Sequence, residues 1–161
     1  MQNLLIKVYE SKGLSKFLHL VSHTVSLLCV AMIAFNFGYF VYLERYRTAA
    51  KMAVSLLIGF IFVSGVRDII NAPRPYELYD FYKKKPKGKN AKSFPSRHAY
   101  SAFAIAVALF SVHTALGIAL VLLAALMCVC RVLLGIHFIR DVVCGALLGI
   151  TAGVAALMLA L

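Results

Sequence analysis

Long apolar segments separated by short polar ones make up most of the chain, and each apolar segment has the length of a bilayer crossing. A helix needs about 20 mainly apolar residues to span the hydrocarbon core. Backbone groups in lipid must be hydrogen-bonded within the segment, which favours helices over isolated strands. The predicted spanning helices lie at 17–43, 48–70, 96–113, 115–134 and 141–161. The pattern therefore predicts an all-α fold, an integral membrane helix bundle with five transmembrane helices.

The polar segments divide the rest of the chain. Residues 17–161 are predicted to form a single transmembrane domain, and the Pro and Gly content of its one long connection, 71–95, excludes a continuous helix. Residues 1–16 fit either a frayed tail or a short amphipathic helix lying at the membrane interface. In the second arrangement, the side chains facing lipid are Leu4, Leu5, Val8 and Leu14, and those facing water are Lys7, Lys12 and Lys16.

Composition supports a membrane protein and adds a strong positive charge. The chain is 62% hydrophobic and 14% charged, and it has 17 Lys and Arg against 6 Asp and Glu. Such an excess favours anionic partners, namely anionic lipid surfaces, phosphate-bearing substrates or nucleic acid. Almost no soluble surface remains for a nucleic-acid-binding module, so we expect no nucleic acid partner. The four cysteines all lie in apolar segments and are expected to be small buried side chains.

Five spans would put the N-terminus, the 71–95 loop and the 135–140 turn on one membrane face. That face, with its helix ends, holds 14 basic residues, whereas the opposite face holds 3. Basic residues favour the cytoplasmic side, so the count alone places the first face in the cytoplasm. Much of the excess comes from loop lysines, for which attraction to anionic head groups is a hypothesis. They are Lys83, Lys84, Lys85, Lys87, Lys89 and Lys92.

Ionisable side chains from three distant parts of the sequence fall at this same face. They are Arg67, Asp68, Arg74, Arg97, His98, Arg131, His137, Arg140 and Asp141. Ionisable groups at membrane depth are costly unless they have partners, so such a cluster is a functional-site hypothesis. Arginines outnumber acidic residues in it, which predicts an anionic ligand, and the guanidinium fork matches phosphate oxygens.

The stretch PSRH at 95–98 and the pair His137 and Asp141 indicate the chemistry. Ser96 is the expected N-cap of the third predicted helix, whose backbone N–H groups would then face the anion. His137 and Asp141 are four residues apart, so they share a face of any helix that begins near His137. The carboxylate would fix the imidazole tautomer and leave one ring nitrogen as a nucleophile. His98 would give a proton to the leaving oxygen, which together describes phosphoryl transfer through a phosphohistidine.

Three segments resemble the motifs of the type 2 phosphatidic acid phosphatase superfamily, which includes lipid phosphatases, bacterial acid phosphatases and vanadium haloperoxidases. The family patterns are KxxxxxxRP, PSGH and SRxxxxxHxxxD. The chain has RDIINAPRP at 67–75, PSRH at 95–98 and CRVLLGIHFIRD at 130–141, in the same order and with the same internal spacing. The resemblance covers about residues 60–161, and it is specific because three spaced motifs coincide.

The resemblance implies a role for each matching residue. His137 would be the nucleophile and Asp141 would orient it, while His98 would act as general acid and then as the base that activates water. The phosphate-binding residues would be Arg67, Arg74, Ser96, Arg97 and Arg131. The resemblance to the phosphatases of the family implies no metal ion, and we expect no cofactor.

Four departures from the family are visible. Arg67 replaces Lys, which keeps the charge but changes its geometry. Cys130 replaces Ser, which weakens one expected hydrogen bond to phosphate. Arg97 replaces Gly, which adds bulk and charge. The Arg97 side chain would project outward and contact a second phosphate or a lipid head group. The fourth departure is topological, since membrane members of the family typically have six spans, and here the first is missing or is replaced by residues 1–16.

These features favour a membrane lipid phosphatase acting on a terminal phosphate monoester or diphosphate. The substrates considered are phosphatidic acid, phosphatidylglycerol phosphate, an isoprenyl diphosphate and a lipid A phosphate. A non-catalytic phospholipid-binding protein and a lipid phosphotransferase using the same site are the alternatives, and a haloperoxidase fits least well. The expected location is a bacterial inner membrane. The resemblance implies an extracytoplasmic site, in conflict with the distribution of basic residues.

Overall fold

Helices account for nearly all of the described chain. A computed structural model of the protein describes residues 2–79 and 92–160. The helices are α1 (Gln2–Glu10), α2 (Lys12–Tyr42), α3 (Tyr46–Ile70), α4 (Pro75–Leu78), α5 (Arg97–Ala108), α6 (Thr114–Leu133) and α7 (Ile139–Ala160). The all-α prediction is confirmed for these residues. Five of the loop lysines, Lys83, Lys84, Lys85, Lys87 and Lys89, lie outside the described residues.

The long helices begin and end where local chemistry favours it. The side chain of Ser11 caps α2 by accepting a hydrogen bond from the Leu14 N–H at 3.5 Å. Helix α3 ends at Asn71, which adopts the left-handed conformation with φ 45°, a region that asparagine tolerates better than most residues. Pro73 follows two residues later and lacks the N–H that a continuing helix would need.

The prediction of five spans is not confirmed in number. Among the described residues, four helical stretches are long and apolar enough to cross a membrane: Lys12–Tyr42, Tyr46–Leu78, Thr114–Leu133 and Ile139–Met158. The third predicted span, 96–113, contains the 12-residue helix α5 followed by a three-residue 3-10 turn, Leu109–Ser111. At about 1.5 Å per residue, this unit is shorter than the roughly 30 Å hydrocarbon core.

Helix α5 lies at the centre of the bundle and packs most closely against α7. Its buried residues are Ala99, Tyr100, Ala102, Ala104, Ile105, Ala106 and Ala108. Glycines spaced four apart on α7 let the two backbones approach, because a Cβ at Gly145 or Gly149 would collide with a carbonyl oxygen of the 96–100 segment. Alanine on one helix and glycine on the other therefore hold α5 and α7 in contact at the end that carries PSRH.

The alternative of an amphipathic helix over residues 1–16 matches the chain only at residues 2–10, and it is wrong about what Leu5 and Val8 contact. Residues 2–10 form α1, and its Leu5 and Val8 are buried inside the protein. Val8 packs in a cluster with Leu18, Cys130 and Leu134, at the ends of α2 and α6. The three predicted water-facing lysines and Leu14 are exposed, and the side chain of Leu4 lies outside the description. Helix α1 therefore covers part of the protein rather than pointing Leu5 and Val8 into lipid.

The outer surface of the bundle is apolar. Large side chains such as Leu20, Val30, Ile61 and Leu122 are more than half exposed on the spanning helices. In water such a surface would be unfavourable, whereas in a bilayer it faces hydrocarbon. With four candidate spans, the chain is an integral membrane protein.

Candidate active site

The end of α3 is tied to the segment that carries PSRH. Arg67 is 6% exposed, and its guanidinium donates to the carbonyl oxygen of Pro95 at 3.2 Å and to that of Ser93 at 3.5 Å. Nearby, the Lys92 ammonium lies 2.8 Å from a carboxylate oxygen of Asp68. A guanidinium has more N–H donors than an ammonium. Arg67 can therefore bind both carbonyls and still direct other N–H groups towards a ligand, which the lysine of the family pattern would do less readily.

Arg74 and Arg131 are brought to the same end by the turns beside them. Arg74 is the N-cap of α4, and its own N–H is bound by the Glu77 carboxylate at 3.2 Å. The next N–H, of Tyr76, donates to the carbonyl of Gly135 at 3.3 Å, which joins this turn to the one after α6. Gly135 has φ 64°, a conformation that glycine adopts without strain.

Ser96 caps α5 as predicted. Its side chain accepts a hydrogen bond from the Ala99 N–H at 3.4 Å. Its backbone N–H donates to the carbonyl oxygen of Asp141 at 3.0 Å. The N-terminus of α5 is therefore fixed against the beginning of α7. The first turn of α5, whose N–H groups have no carbonyl partner within the helix, includes His98.

His137 and Asp141 lie together but without the direct hydrogen bond that their spacing predicts. Their side chains are 2% and 0% exposed, and the imidazole Nδ1 is 3.7 Å from Asp141 Oδ2, beyond hydrogen-bonding distance. Helix α7 begins at Ile139, so His137 precedes it and the helical i, i+4 geometry does not apply. Asp141 Oδ2 accepts instead from the backbone N–H of Phe138 at 2.9 Å and from the Ser93 hydroxyl.

Ser93 is the site residue that the sequence analysis missed. It is fully buried, it donates to Asp141 Oδ2, and its oxygen lies 3.4 Å from His137 Nδ1. An uncharged serine outside the family motifs carried no signal except its position two residues before Pro95.

The predicted residues form one electrostatic cluster. His98 interacts with His137 and with three arginines, namely Arg67, Arg97 and Arg131. His137 interacts in turn with Arg74 and Arg131. All eight predicted site residues therefore meet at one end of the bundle: Arg67, Arg74, Ser96, Arg97, His98, Arg131, His137 and Asp141.

Two members of the cluster have features that bear on ligand binding. The Nε of Arg131 is buried and makes no hydrogen bond to any residue that the structure describes. A buried donor of this kind is costly unless a ligand or solvent satisfies it. Arg97 is exposed, and its guanidinium lies 5.9 Å from the centre of the Phe60 ring.

The environment of His137 favours the neutral imidazole. Burial lowers the pKa of His137 below its ordinary value, and the positive charges of Arg74 and Arg131 lower it further. The carboxylate of Asp141 acts in the opposite direction without reversing the shift. A neutral ring nitrogen is the form that can act as a nucleophile.

Cys130, which stands where the family has serine, lies in an apolar environment. It is 2% exposed and packs in the apolar cluster with Val8, Leu18 and Leu134. That its thiol weakens one hydrogen bond to phosphate stays a prediction. The four cysteines are free thiols, three of them buried and Cys144 half-buried, as expected from their apolar surroundings.

A cavity of about 360 Å³ opens beside the cluster, between α2, α3, α5 and α6. Arg97 and His98 line one end of it, and apolar side chains including Val30, Ile105 and Met127 line the rest. From Arg97 to Ile105 the wall follows α5 for about 12 Å. An anion in the cluster can therefore be joined to an apolar group in the cavity.

Comparison with known proteins agrees with this geometry. A family model described as the PAP2 superfamily, the type 2 phosphatidic acid phosphatases, matches residues 48–160, which is more than half of the chain. The chain belongs to the PAP2 superfamily. The resemblance seen in the three motifs of this PAP2 protein is thereby confirmed.

Two individual relatives extend the comparison. The lipid A 1-phosphatase of Porphyromonas gingivalis is 32% identical to this PAP2 protein over 142 residues, covering 84% of this chain but only 30% of that protein. A crystal structure of Aquifex aeolicus LpxE has a TM-score of 0.58 at 23% identity, over 89% of this chain and 93% of that one. At this identity, the second likeness shows a shared fold.

Proposed function

We propose that this PAP2 protein is a membrane lipid phosphatase that removes a terminal phosphate, from a monoester or a diphosphate, through a phosphohistidine intermediate. The observation that carries the proposal is the buried His137, held with Asp141 and Ser93 near Arg74 and Arg131, which come from two segments of the chain. A protein that only binds phosphate needs the arginines, whereas a buried, oriented, neutral imidazole serves chemistry.

The first step forms the intermediate. The three inner arginines, Arg67, Arg74 and Arg131, neutralise the phosphate oxygens, with N–H groups at the start of α5 adding further donors. The free ring nitrogen of His137 attacks phosphorus as the P–O bond to the lipid breaks. The electron pair of that bond goes to the leaving oxygen, which takes a proton from His98.

The second step releases phosphate and restores the enzyme. His98, now lacking its proton, removes one from a water molecule, whose oxygen attacks phosphorus. The P–N bond breaks, its electron pair returns to the ring nitrogen of His137, and inorganic phosphate leaves. Both steps use side chains of this chain alone.

The cavity beside His98 supports a lipid rather than a soluble ester. We place a hydrocarbon chain of the substrate along α5 between Arg97 and Ile105, because this wall is apolar and starts at the phosphate cluster. Arg97 then contacts a second phosphate or another anionic group of the head. The substrates to compare are phosphatidic acid, phosphatidylglycerol phosphate, an isoprenyl diphosphate and a lipid A phosphate, and the lipid A phosphate is tested first because of the relative's name.

We place the protein in a bacterial inner membrane, with the phosphate cluster on the extracytoplasmic side and α5 completing the bundle as a fifth, shorter membrane element. The distribution of basic residues argues for the opposite orientation, and lysines that serve an anionic substrate would account for part of that excess. The orientation can be tested with Glu44→Cys, in a chain whose four native cysteines are replaced by alanine. A membrane-impermeant thiol reagent, applied to intact cells, then reports on which side of the membrane the α2–α3 turn lies. Protection from the reagent in intact cells is expected, and labelling would place the cluster in the cytoplasm.

The proposed activity is tested with purified protein and the four lipid phosphates. We expect phosphate release from at least one of them and a loss of at least about 1,000-fold in His137→Ala. His23→Ala, an exposed histidine of α2, is the matched control and should keep wild-type turnover. Turnover by His137→Ala equal to that of wild type would refute the mechanism.

The same assay separates the alternatives. Binding of lipid phosphate by the intact protein without release of phosphate would indicate a phospholipid-binding protein. Transfer of label from the donor to a second lipid, with no free phosphate formed, would indicate a phosphotransferase. A phosphoenzyme that survives alkali and is lost in acid is expected in either catalytic case, since both proceed through the P–N bond.

A further inference from the structure

The Ser93 hydroxyl lies beside the His–Asp pair and within reach of both side chains. Its oxygen is 3.4 Å from His137 Nδ1 and is hydrogen-bonded to Asp141 Oδ2, whereas the two partners are 3.7 Å apart. The residue is fully buried, and its backbone is fixed independently of its side chain. The Ser93 N–H donates to Ala72 at 2.8 Å, and its carbonyl accepts from Arg67 at 3.5 Å.

The hydrogens carried by Ser93, Asp141 and His137 allow one arrangement of hydrogen bonds among these three side chains. A carboxylate only accepts hydrogen bonds, so the hydrogen between Ser93 and Asp141 belongs to the serine. A hydroxyl has a single hydrogen, and with that hydrogen committed, the serine oxygen can only accept from its other neighbour. His137 must then carry its hydrogen on Nδ1, and the lone pair lies on Nε2, the nitrogen away from Asp141.

We propose that Ser93 is a positioning residue whose hydroxyl links Asp141 to His137 and holds the imidazole hydrogen on Nδ1. This inference rests on the proposed function for its kinetic consequences, but the tautomer itself does not depend on any substrate. In this arrangement Asp141 acts on the imidazole through the serine hydroxyl rather than by direct contact.

Other charged groups around His137 do not replace this link. Arg74 at the N-cap of α4, Arg131 from α6 and His98 from α5 all interact with it electrostatically. Arginines are donors and cannot accept the Nδ1 hydrogen, and no hydrogen bond joins His98 to His137 among the described residues. Among the described residues, Ser93 is therefore the acceptor within hydrogen-bonding distance of Nδ1, since Asp141 Oδ2 lies 3.7 Å away.

Nitrogen NMR of histidine-labelled protein in detergent tests the tautomer without any activity. The chain has five histidines, and His137→Gln identifies the signals of His137. Wild-type protein near neutral pH should show a protonated Nδ1 and an unprotonated Nε2. In Ser93→Ala, Nδ1 loses its acceptor, and the signals should shift towards a mixture of tautomers. A wild-type ring protonated on Nε2 would overturn the proposal.

Kinetics then test the consequence. Ser93→Ala keeps both backbone hydrogen bonds and should lower kcat about 10- to 100-fold while KM changes less than about twofold, since the arginines remain. Ser93→Thr retains the hydroxyl and should recover most of the loss. Ser93→Cys has nearly the volume of serine without its oxygen and should not. Ser22→Ala, another buried serine, is the matched control and should behave as wild type.

A double-mutant cycle separates this link from a purely structural role. If Ser93 acts through Asp141, Ser93→Ala should cost less than about threefold in an Asp141→Asn background. Full additivity of the two losses, equal losses in Ser93→Thr and Ser93→Cys, or wild-type kcat in Ser93→Ala would each overturn the proposal. If wild-type protein hydrolyses none of the lipid phosphates, the proposed function fails instead, and the NMR result still decides the tautomer.

Discussion

Replacing Gly145 by alanine tests whether the close contact of α5 with α7 positions the catalytic groups. A Cβ at this position would lie 3.1 Å from the Ala99 Cβ and 3.3 Å from the Ser96 carbonyl carbon, with the Ser96 carbonyl oxygen closer still. Ordinary contacts between carbon atoms lie at about 3.5–4.0 Å, so the N-terminus of α5 must move from α7 by roughly 0.5–1 Å. That movement stretches the 3.0 Å hydrogen bond from the Ser96 N–H to the Asp141 carbonyl.

The expected effects on stability and on activity differ in size. Overpacking typically costs about 1–3 kcal/mol, and an alanine in a helix gains about 1 kcal/mol over glycine. Gly38→Ala is the matched control, because its Cβ would meet nothing within 4 Å and only the gain applies. Relative to Gly38→Ala, Gly145→Ala should therefore unfold at a lower temperature in detergent. A displacement near 1 Å between His98 and His137 should lower kcat about 100-fold.

Melting temperature and phosphate release, measured on the same preparations, check this prediction. Gly145→Ala and Gly38→Ala with the same melting temperature and the same kcat would refute the reasoning. A lower melting temperature with wild-type kcat would show that the contact supports the fold without positioning the site.

Two further predictions concern charge. Because the lowered pKa of His137 keeps the ring neutral below the ordinary value of 6.5, the acidic limb of kcat/KM should lie below that pH. Arg74→Gln removes one cause of the lowering and should move the limb to higher pH; a limb that stays in place would contradict the assignment. Arg97→Gly should raise KM roughly tenfold for a lipid diphosphate and little for a lipid monophosphate. An equal rise for both would contradict a contact between Arg97 and a second anionic group.

The apolar pattern predicted the long helices well, and it failed where apolar sequence does not mean contact with lipid. Helices α2, α3, α6 and α7 lie within a few residues of their predicted positions. The segment that contains α5 is as apolar as a membrane span, but its alanines are buried against neighbouring helices. Hydropathy records transfer out of water and does not distinguish a protein interior from a bilayer. The prediction that Leu5 and Val8 of α1 face lipid fails for the same reason, because both are buried inside the protein.

The spacing of the motifs correctly predicted which ionisable residues lie together. The hydrogen bonds among these residues could not be predicted in the same way, because they depend on the residue at which α7 begins. His137 and Asp141 would meet directly inside a helix, but α7 begins at Ile139 and leaves room for Ser93. A serine carries no charge and appears in no family motif quoted for this chain, so only the three-dimensional arrangement reveals it. The catalytic and phosphate-binding roles of the eight predicted residues stay predictions until the variants are measured.

Asp141 holds the site together from the last described helix, and this has a consequence for the synthesis of the protein. Its backbone carbonyl holds Ser96, and its carboxylate holds Ser93 and the N–H of Phe138. Arg67 of α3, Arg74 after it and the PSRH segment leave the ribosome earlier, when none of these bonds can yet form. A partly synthesised chain can thus gather positive charge at the membrane surface before the proposed site is formed. The site is complete only when α7 is inserted and docks against α5, so activity that depends on the proposed roles of His137 and Asp141 is expected only from chains that have completed this step.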